Sequence, residues 1–210
     1  GQEPGSYRWD TCAWHFGAED GFTGSIVYDI SRDREGYVWI CTDAGVSRFD
    51  GHEFINFNTG DGLTDNEILG MKEDSRGRKW LMTIGGNPCF ILNDTVHNPK
   101  TDSYLGEMQS QGYISTIFED RQHDIYIGSF DGQSFRLSPD NQVSAIPCKS
   151  TVCRILGIDD SPSQGLYEVQ NINDLMLLKG DASSRVPISQ LSIQGAENYP
   201  VKFLARGGGE

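Results

Sequence analysis

The sequence predicts an all-β protein assembled from repeated four-stranded sheets, and three observations lead to that class. Short apolar runs alternate in the two-residue rhythm of strands, with Tyr37, Trp39 and Cys41 on one side and Val38 and Ile40 on the other. No helical periodicity of useful length appears along the chain. The third observation is a repeat. An offset of 41 residues carries Asp33, Gly36, Trp39 and Thr42 onto Asp74, Gly77, Trp80 and Thr83, and carries Asp20-Gly21 onto Asp61-Gly62. A looser copy follows at 46 residues, with Asp120, Tyr126, Ser129 and Gly132, and a weaker one spans residues 155–178. Repeats of roughly 40–45 residues holding four strands each are the pattern of β-propeller blades.

The elements follow in order. Residues 7–16 are rich in aromatics and align by the offset with the last strand of the first repeat, so they are expected to supply an outer strand. The first repeat reads as strands at 26–31, 37–42, 46–49 and 53–58, and the second at 68–73, 79–83, 89–92 and a last strand reaching Val96. Asp-x-x-Gly and Asp-Gly separate them because Asp caps backbone N–H groups two residues on and Gly tolerates positive φ. Residues 98–112 form a polar insertion in which Tyr104, Leu105 and Met108 suit one helical turn. The third repeat has strands at 114–119, 124–128, 134–137 and 142–146. His123 replaces the glycine of the earlier turns, which predicts a changed turn. The fourth has strands at 152–158, 166–169, 174–178 and 184–187, and residues 201–206 read as the opening strand of a fifth. The expected layout is therefore 7–20 outer strand, 21–60 first blade, 61–97 second, 98–147 insertion and third, 148–198 fourth, and 199–210 the start of a fifth. Such an arc reads as part of a longer propeller, and its open edges predict pairing between chains or disorder near the C-terminus.

Charge narrows the partners. The 210 residues carry a formal charge of −13, with 17 Lys and Arg against 30 Asp and Glu, so no basic surface is concentrated enough for nucleic acid. The five cysteines lack metal-ligand spacing. Cys41 and Cys89 sit in apolar strand runs as small hydrophobes, while Cys148 and Cys153 bracket a bend across which a disulfide could form. The four histidines share no spacing, and no nucleophile triad or phosphate loop is visible. No cofactor or metal is implied. Trp39, Trp80 and Tyr126 recur at repeat spacing and are read as core between blades rather than as sugar platforms. Asp33, Asp74 and Asp120 recur at turns and are read as backbone caps, since Arg34 and Arg76 stand where a calcium loop would need oxygen ligands.

The stretch Asp33-Arg34-Glu35-Gly36-Tyr37-Val38-Trp39-Ile40-Cys41-Thr42, followed by Gly45-Val46 and Arg48-Phe49-Asp50, resembles the two-component regulator propeller repeat. That pattern places an Asp-x-x-Gly turn before Leu-Trp-Ile-Gly-Thr, then a Gly-Leu strand and Arg-Phe/Tyr-Asp. Asp74-Ser75-Arg76-Gly77 with Trp80-Leu81-Met82-Thr83 is a second match, and residues 119–129 a partial third. Cys41 and Met82 depart from the pattern's Gly, and Tyr126 from its Trp. The resemblance implies the periplasmic ectodomain of a hybrid two-component sensor that binds oligosaccharide fragments, signals as a homodimer and contains the remaining propeller blades. The implied module is not an enzyme. The alternatives are a propeller glycoside-processing enzyme, which would need two carboxylates set across a sugar, and a protein-interaction scaffold.

Connectivity points to a binding face. Loops between second and third strands (42–45, 83–87 and 129–132) should open on the side of the fourth-to-first connections such as 61–65. Asp43, Asn87 and Asp131 would then offer acceptors to ligand hydroxyls.

Overall fold

The computed structural model describes residues 15–146 and four later strands, within two compact units, Gly1–Gln109 and Ser110–Glu210. The expectations for residues 7–14, for Cys12, Cys148 and Cys153, and for the start of a fifth repeat lie outside the described residues.

The first unit holds two antiparallel meanders. One comprises β1 (Val27–Arg32), β2 (Val38–Thr42), β3 (Gly45–Phe49) and β4 (Phe54–Phe57). The other comprises β5 (Ile68–Glu73), β6 (Lys79–Thr83), β7 (Cys89–Leu92) and β8 (Thr95–His97). In the second unit, β9 (Ile114–Glu119), β10 (Ile125–Ser129), β11 (Ser134–Leu137) and β12 (Val143–Ala145) form a third sheet. β13 (Arg154–Asp159), β14 (Gly165–Asn171), β15 (Asp174–Lys179) and β16 (Ser184–Pro187) form a fourth. The architecture is all-β with four-stranded propeller blades, as the repeat predicts.

The repeat extends to backbone irregularity. Each first strand slips register by one residue against its neighbour, at Tyr28, Leu69, Ser115 and Leu156. Such a bulge adds local twist and is a position-specific feature. Its recurrence at Leu156 places the weakest copy in the same frame as the strongest.

Each sheet of the first unit is preceded by a copy of one connection. The 3₁₀ turns Ala18–Asp20 and Thr59–Asp61 each end on a left-handed glycine, Gly21 at φ 89° and Gly62 at φ 108°. In each, the Asp at the end of the turn accepts the N–H of the residue before it, Gly17 at 2.9 Å and Asn58 at 3.0 Å. The stretch 15–20, placed within the outer-strand element, thus ends in a turn, while Phe16 packs against Phe49 and Phe54 at centroid distances of 4.8 and 5.5 Å. In the 98–112 insertion, Ser103–Met108 makes the expected helical turn and buries Leu105 and Met108.

The core of the first unit lies between its sheets. Trp39, Cys41, Val46 and Phe57 from one meet Ile68, Met71, Leu81, Cys89, Ile91 and Val96 from the other, with Leu63 on the connection. Burial of each large aliphatic side chain contributes about 1.5–3 kcal/mol. Cys41 and Cys89 are free buried thiols. Burial pushes Cys41 up to about 12 and raises Cys89 as well, so both act as hydrophobes rather than nucleophiles.

In the first three sheets one Asp governs the turn between first and second strands. Asp33 accepts the Tyr37 N–H at 2.9 Å with one oxygen and the Trp39 indole N–H at 2.7 Å with the other. Asp74 treats Arg78 and Trp80 alike, at 2.9 and 2.8 Å. Asp120 accepts the Asp124 N–H at 2.9 Å and the Tyr126 hydroxyl at 3.2 Å. The phenol thus replaces the indole as ring donor. The turn at His123 corrects the sequence expectation. His123 takes φ 64°, its N–H bonds Asp120 O at 3.0 Å as Gly36 and Gly77 bond Asp33 and Asp74, and the turn is conserved in shape. A contact of 3.0 Å between His123 Nδ1 and Glu119 Oε1 helps hold a non-glycine residue in the left-handed region.

Candidate ligand-binding loops

In the first three sheets a hydroxyl at the end of the second strand closes the loop that follows. Thr42 Oγ1 donates to Gly45 O at 3.0 Å, Thr83 Oγ1 to Asn87 O at 2.9 Å, and Ser129 Oγ to Gln133 O at 2.8 Å. Gly45 has no substitute in this geometry, because at φ 126° a Cβ would lie 2.1 Å from Phe57 O. The next residue in each sheet, Asp43, Ile84 or Phe130, donates its N–H to Ile26, Glu67 or Tyr113 O, at 3.2, 3.2 and 2.9 Å. These bonds set each loop against the segment leading into its sheet's first strand. In the first unit Thr64, from the 61–65 connection, donates to Asn87 O at 2.7 Å, so the two loop types share a face there.

Asp43 and Asn87 lie in the first unit and Asp131 in the second. Asp43 Oδ1 accepts Ser25 and Ile26 N–H at 2.7 and 3.0 Å, and those backbone bonds hold its carboxyl below the usual range. Its Oδ2 takes no hydrogen bond among the described residues. Asn87 donates its amide to Gly85 O at 3.3 Å, leaving the amide oxygen as an acceptor. Asp131 is more committed. Its Oδ2 accepts Gln111 and Gly112 N–H at 2.8 and 3.1 Å, while Oδ1 accepts Gln133 N–H at 3.2 Å and the Ser129 hydroxyl. Three N–H groups, together with the Ser129 hydroxyl whose one proton is shared with Gln133 O, engage both oxygens, so the position shown for Asp131 is that of a loop brace. Burial opposes its ionisation, but the Ser129 and backbone donors outweigh that, and its carboxyl is held low.

The sequence reading passed over two residues of this region. Phe130 is 43% exposed and stacks on half-buried Tyr113, with ring centroids 4.8 Å apart and planes inclined by 24°. The signal available in the sequence was a departure from the repeat, since Asp43 and Ile84 occupy the positions equivalent to Phe130. In the first unit, Tyr28 donates its hydroxyl to Glu67 at 2.5 Å, and that bond to a carboxylate raises the phenol. His97 meets Asp102 at 2.8 Å and stacks on Phe90 at 4.6 Å. A hydrogen-bonded histidine clamped on an aromatic ring is held as packing. No helix among the described residues is long and apolar enough to cross a membrane.

Residues 21–44, which run from the connection through β2 into the candidate loop, match the family model described as two component regulator propeller. That match falls within the first blade and its preceding connection. No curated protein matches the chain. Among solved structures the chain is similar to virginiamycin B lyase from Staphylococcus aureus bound to quinupristin, with 15% identity and a TM-score of 0.58 over 79% of this chain and 56% of that one. A streptogramin B lyase structure follows with 16% identity, a TM-score of 0.54, and 77% and 53% coverage. The extracellular domain of a putative one component system from B. thetaiotaomicron shares 15% identity at a TM-score of 0.50, with 77% and 28% coverage. The chain thus spans about half the length of the lyases and less of the extracellular domain. At these identities the likeness is one of fold.

Proposed function

We propose that this chain is part of a non-catalytic, extracytoplasmic sensor module that binds oligosaccharide on its loop face and relays the event to a histidine kinase in the parent protein. The match of residues 21–44 to the two-component regulator propeller carries the reading. The acceptors of Asp43 and Asn87 left without a hydrogen bond among the described residues support it, since a neutral sugar needs acceptors for its hydroxyls on a pre-formed surface. In this reading Asp131 serves by shaping its loop. The periplasm is the proposed location, with the remaining blades of the parent propeller and a second copy as partners.

Calorimetric titration with neutral oligosaccharides, paired with chromatography of the mixtures, tests the proposal. Saturable binding without new products is the expected result, and release of shortened sugars would make the chain an enzyme. Joint replacement of Asp43, Asn87 and Asp131 by Ala should weaken binding, and unchanged affinity would remove these loops from the site.

A further inference from the structure

The third sheet carries a feature that the first two lack. At the paired positions where main-chain N–H meets carbonyl, the first sheet has Asp43 with Ile26, the second Ile84 with Glu67, and the third Phe130 with Tyr113. Only the last is a pair of aromatic rings. It is stacked, and it leaves Phe130 43% exposed at the loop surface. The segments that carry the pair are also tied together. Asp131, next to Phe130, receives the N–H groups of Gln111 and Gly112 immediately before Tyr113, and that of Gln133 on the far side of the loop. Gly112 permits this approach, because a Cβ there would stand 2.7 Å from Asp131 N.

We infer that Tyr113 and Phe130 form a platform for the apolar face of a neutral pyranose, flanked by the carboxamides of Gln111 and Gln133. The chemistry selects this ligand class in three ways. An exposed aromatic surface on segments tied together offers an apolar contact at little entropic cost, which suits the C–H face of a sugar ring. The side chains of Gln111 and Gln133 are exposed and make no hydrogen bond among the described residues, and each amide offers both donors and an acceptor to vicinal hydroxyls. Asp131, next to Phe130 in the chain, repels anionic sugars, while its own oxygens are engaged by the Gln111, Gly112 and Gln133 N–H groups.

This inference rests on the sugar-binding reading above and goes further by naming the residues and the charge class. The test uses the full 210-residue chain with ring-labelled Phe and Tyr. It is titrated by nuclear magnetic resonance with neutral hexaoses of glucose, mannose, galactose, xylose and arabinose, and with hexagalacturonate. The expected result is that at least one neutral hexaose shifts the Tyr113 and Phe130 ring signals. Phe130→Ala should weaken that hexaose roughly tenfold, the scale of one aromatic contact, and Phe130→Trp should retain it. A hexaose that binds without moving either ring, and binds Phe130→Ala equally, would overturn the platform and leave the sensor reading standing. Binding of hexagalacturonate alone would overturn the neutral class, and no binding by any of the six would overturn both readings.

Discussion

The first two sheets show one pattern in two environments. Ile30, Ile40 and Phe49 occupy the positions of Met71, Leu81 and Ile91, pairing across the same strands. In the second sheet this face lies against the first and is closed, with Met71 at 7%, Leu81 at 0% and Ile91 at 1% exposure. In the first sheet Ile30 is 63% exposed, and Ile40 and Phe49 are half-buried. An apolar face is written into the repeat, whereas its burial depends on what stacks upon it. The neighbouring position sharpens the point. Val38 in the first sheet corresponds to Lys79 in the second, whose side chain is 8% exposed. That amine lies 3.5 Å from Asp33, 3.6 Å from Glu73 and 4.0 Å from Glu35, and faces the Trp39 ring at 5.8 Å. A charge is retained there because the adjoining sheet supplies its counter-charges.

The largest expected effect comes from the closed face. Leu81→Ala should cost about 2–5 kcal/mol in urea unfolding, and Ile30→Ala, at the open equivalent of Met71, less than about 1 kcal/mol. Equal losses would break the distinction between the faces. Lys79→Met should come next, on the order of 3 kcal/mol, because it removes the cation paired with buried Asp33 and half-buried Glu73, while Val38→Met should be close to neutral.

Acid provides a third test. Burial raises the Asp33 carboxyl, but the Trp39 indole, the Tyr37 N–H and Lys79 outweigh burial and the net shift is downward. A carboxyl depressed in the folded state stabilises it above the unfolded pKa of about 3.9, and loses that contribution as pH falls through the lower folded value. Unfolding midpoints should therefore drop below about pH 4, and Asp33→Asn should flatten that slope. The smallest effect belongs to the turns. His123→Gly removes left-handed strain and should raise stability by about 0.5 kcal/mol, whereas Gly77→Ala, at φ 78°, should lower it by about 1 kcal/mol.

Much of this was legible from residue spacing. An Asp with its ring residue six positions later appears in three copies, twice as Asp-x-x-Gly and once with His123 in the glycine's place, because one carboxylate must reach both a turn N–H and a ring donor. The candidate site was legible in part. The loops were foreseeable from connectivity, but the engaged oxygens of Asp131 were not, because that hydrogen bonding depends on where Gln111, some 20 residues earlier, is brought in space. His123 misled for a local reason: glycine is the preferred residue at positive φ and is not the only tolerated one.

The sequence by itself determined the strands, their order and the apolar rows, since period-two patterning and turn chemistry act within a few residues. The tertiary structure alone decided which row is covered, which carboxylates are spent as braces and where two rings stack. Those outcomes depend on contacts between distant segments, and no local spacing encodes them.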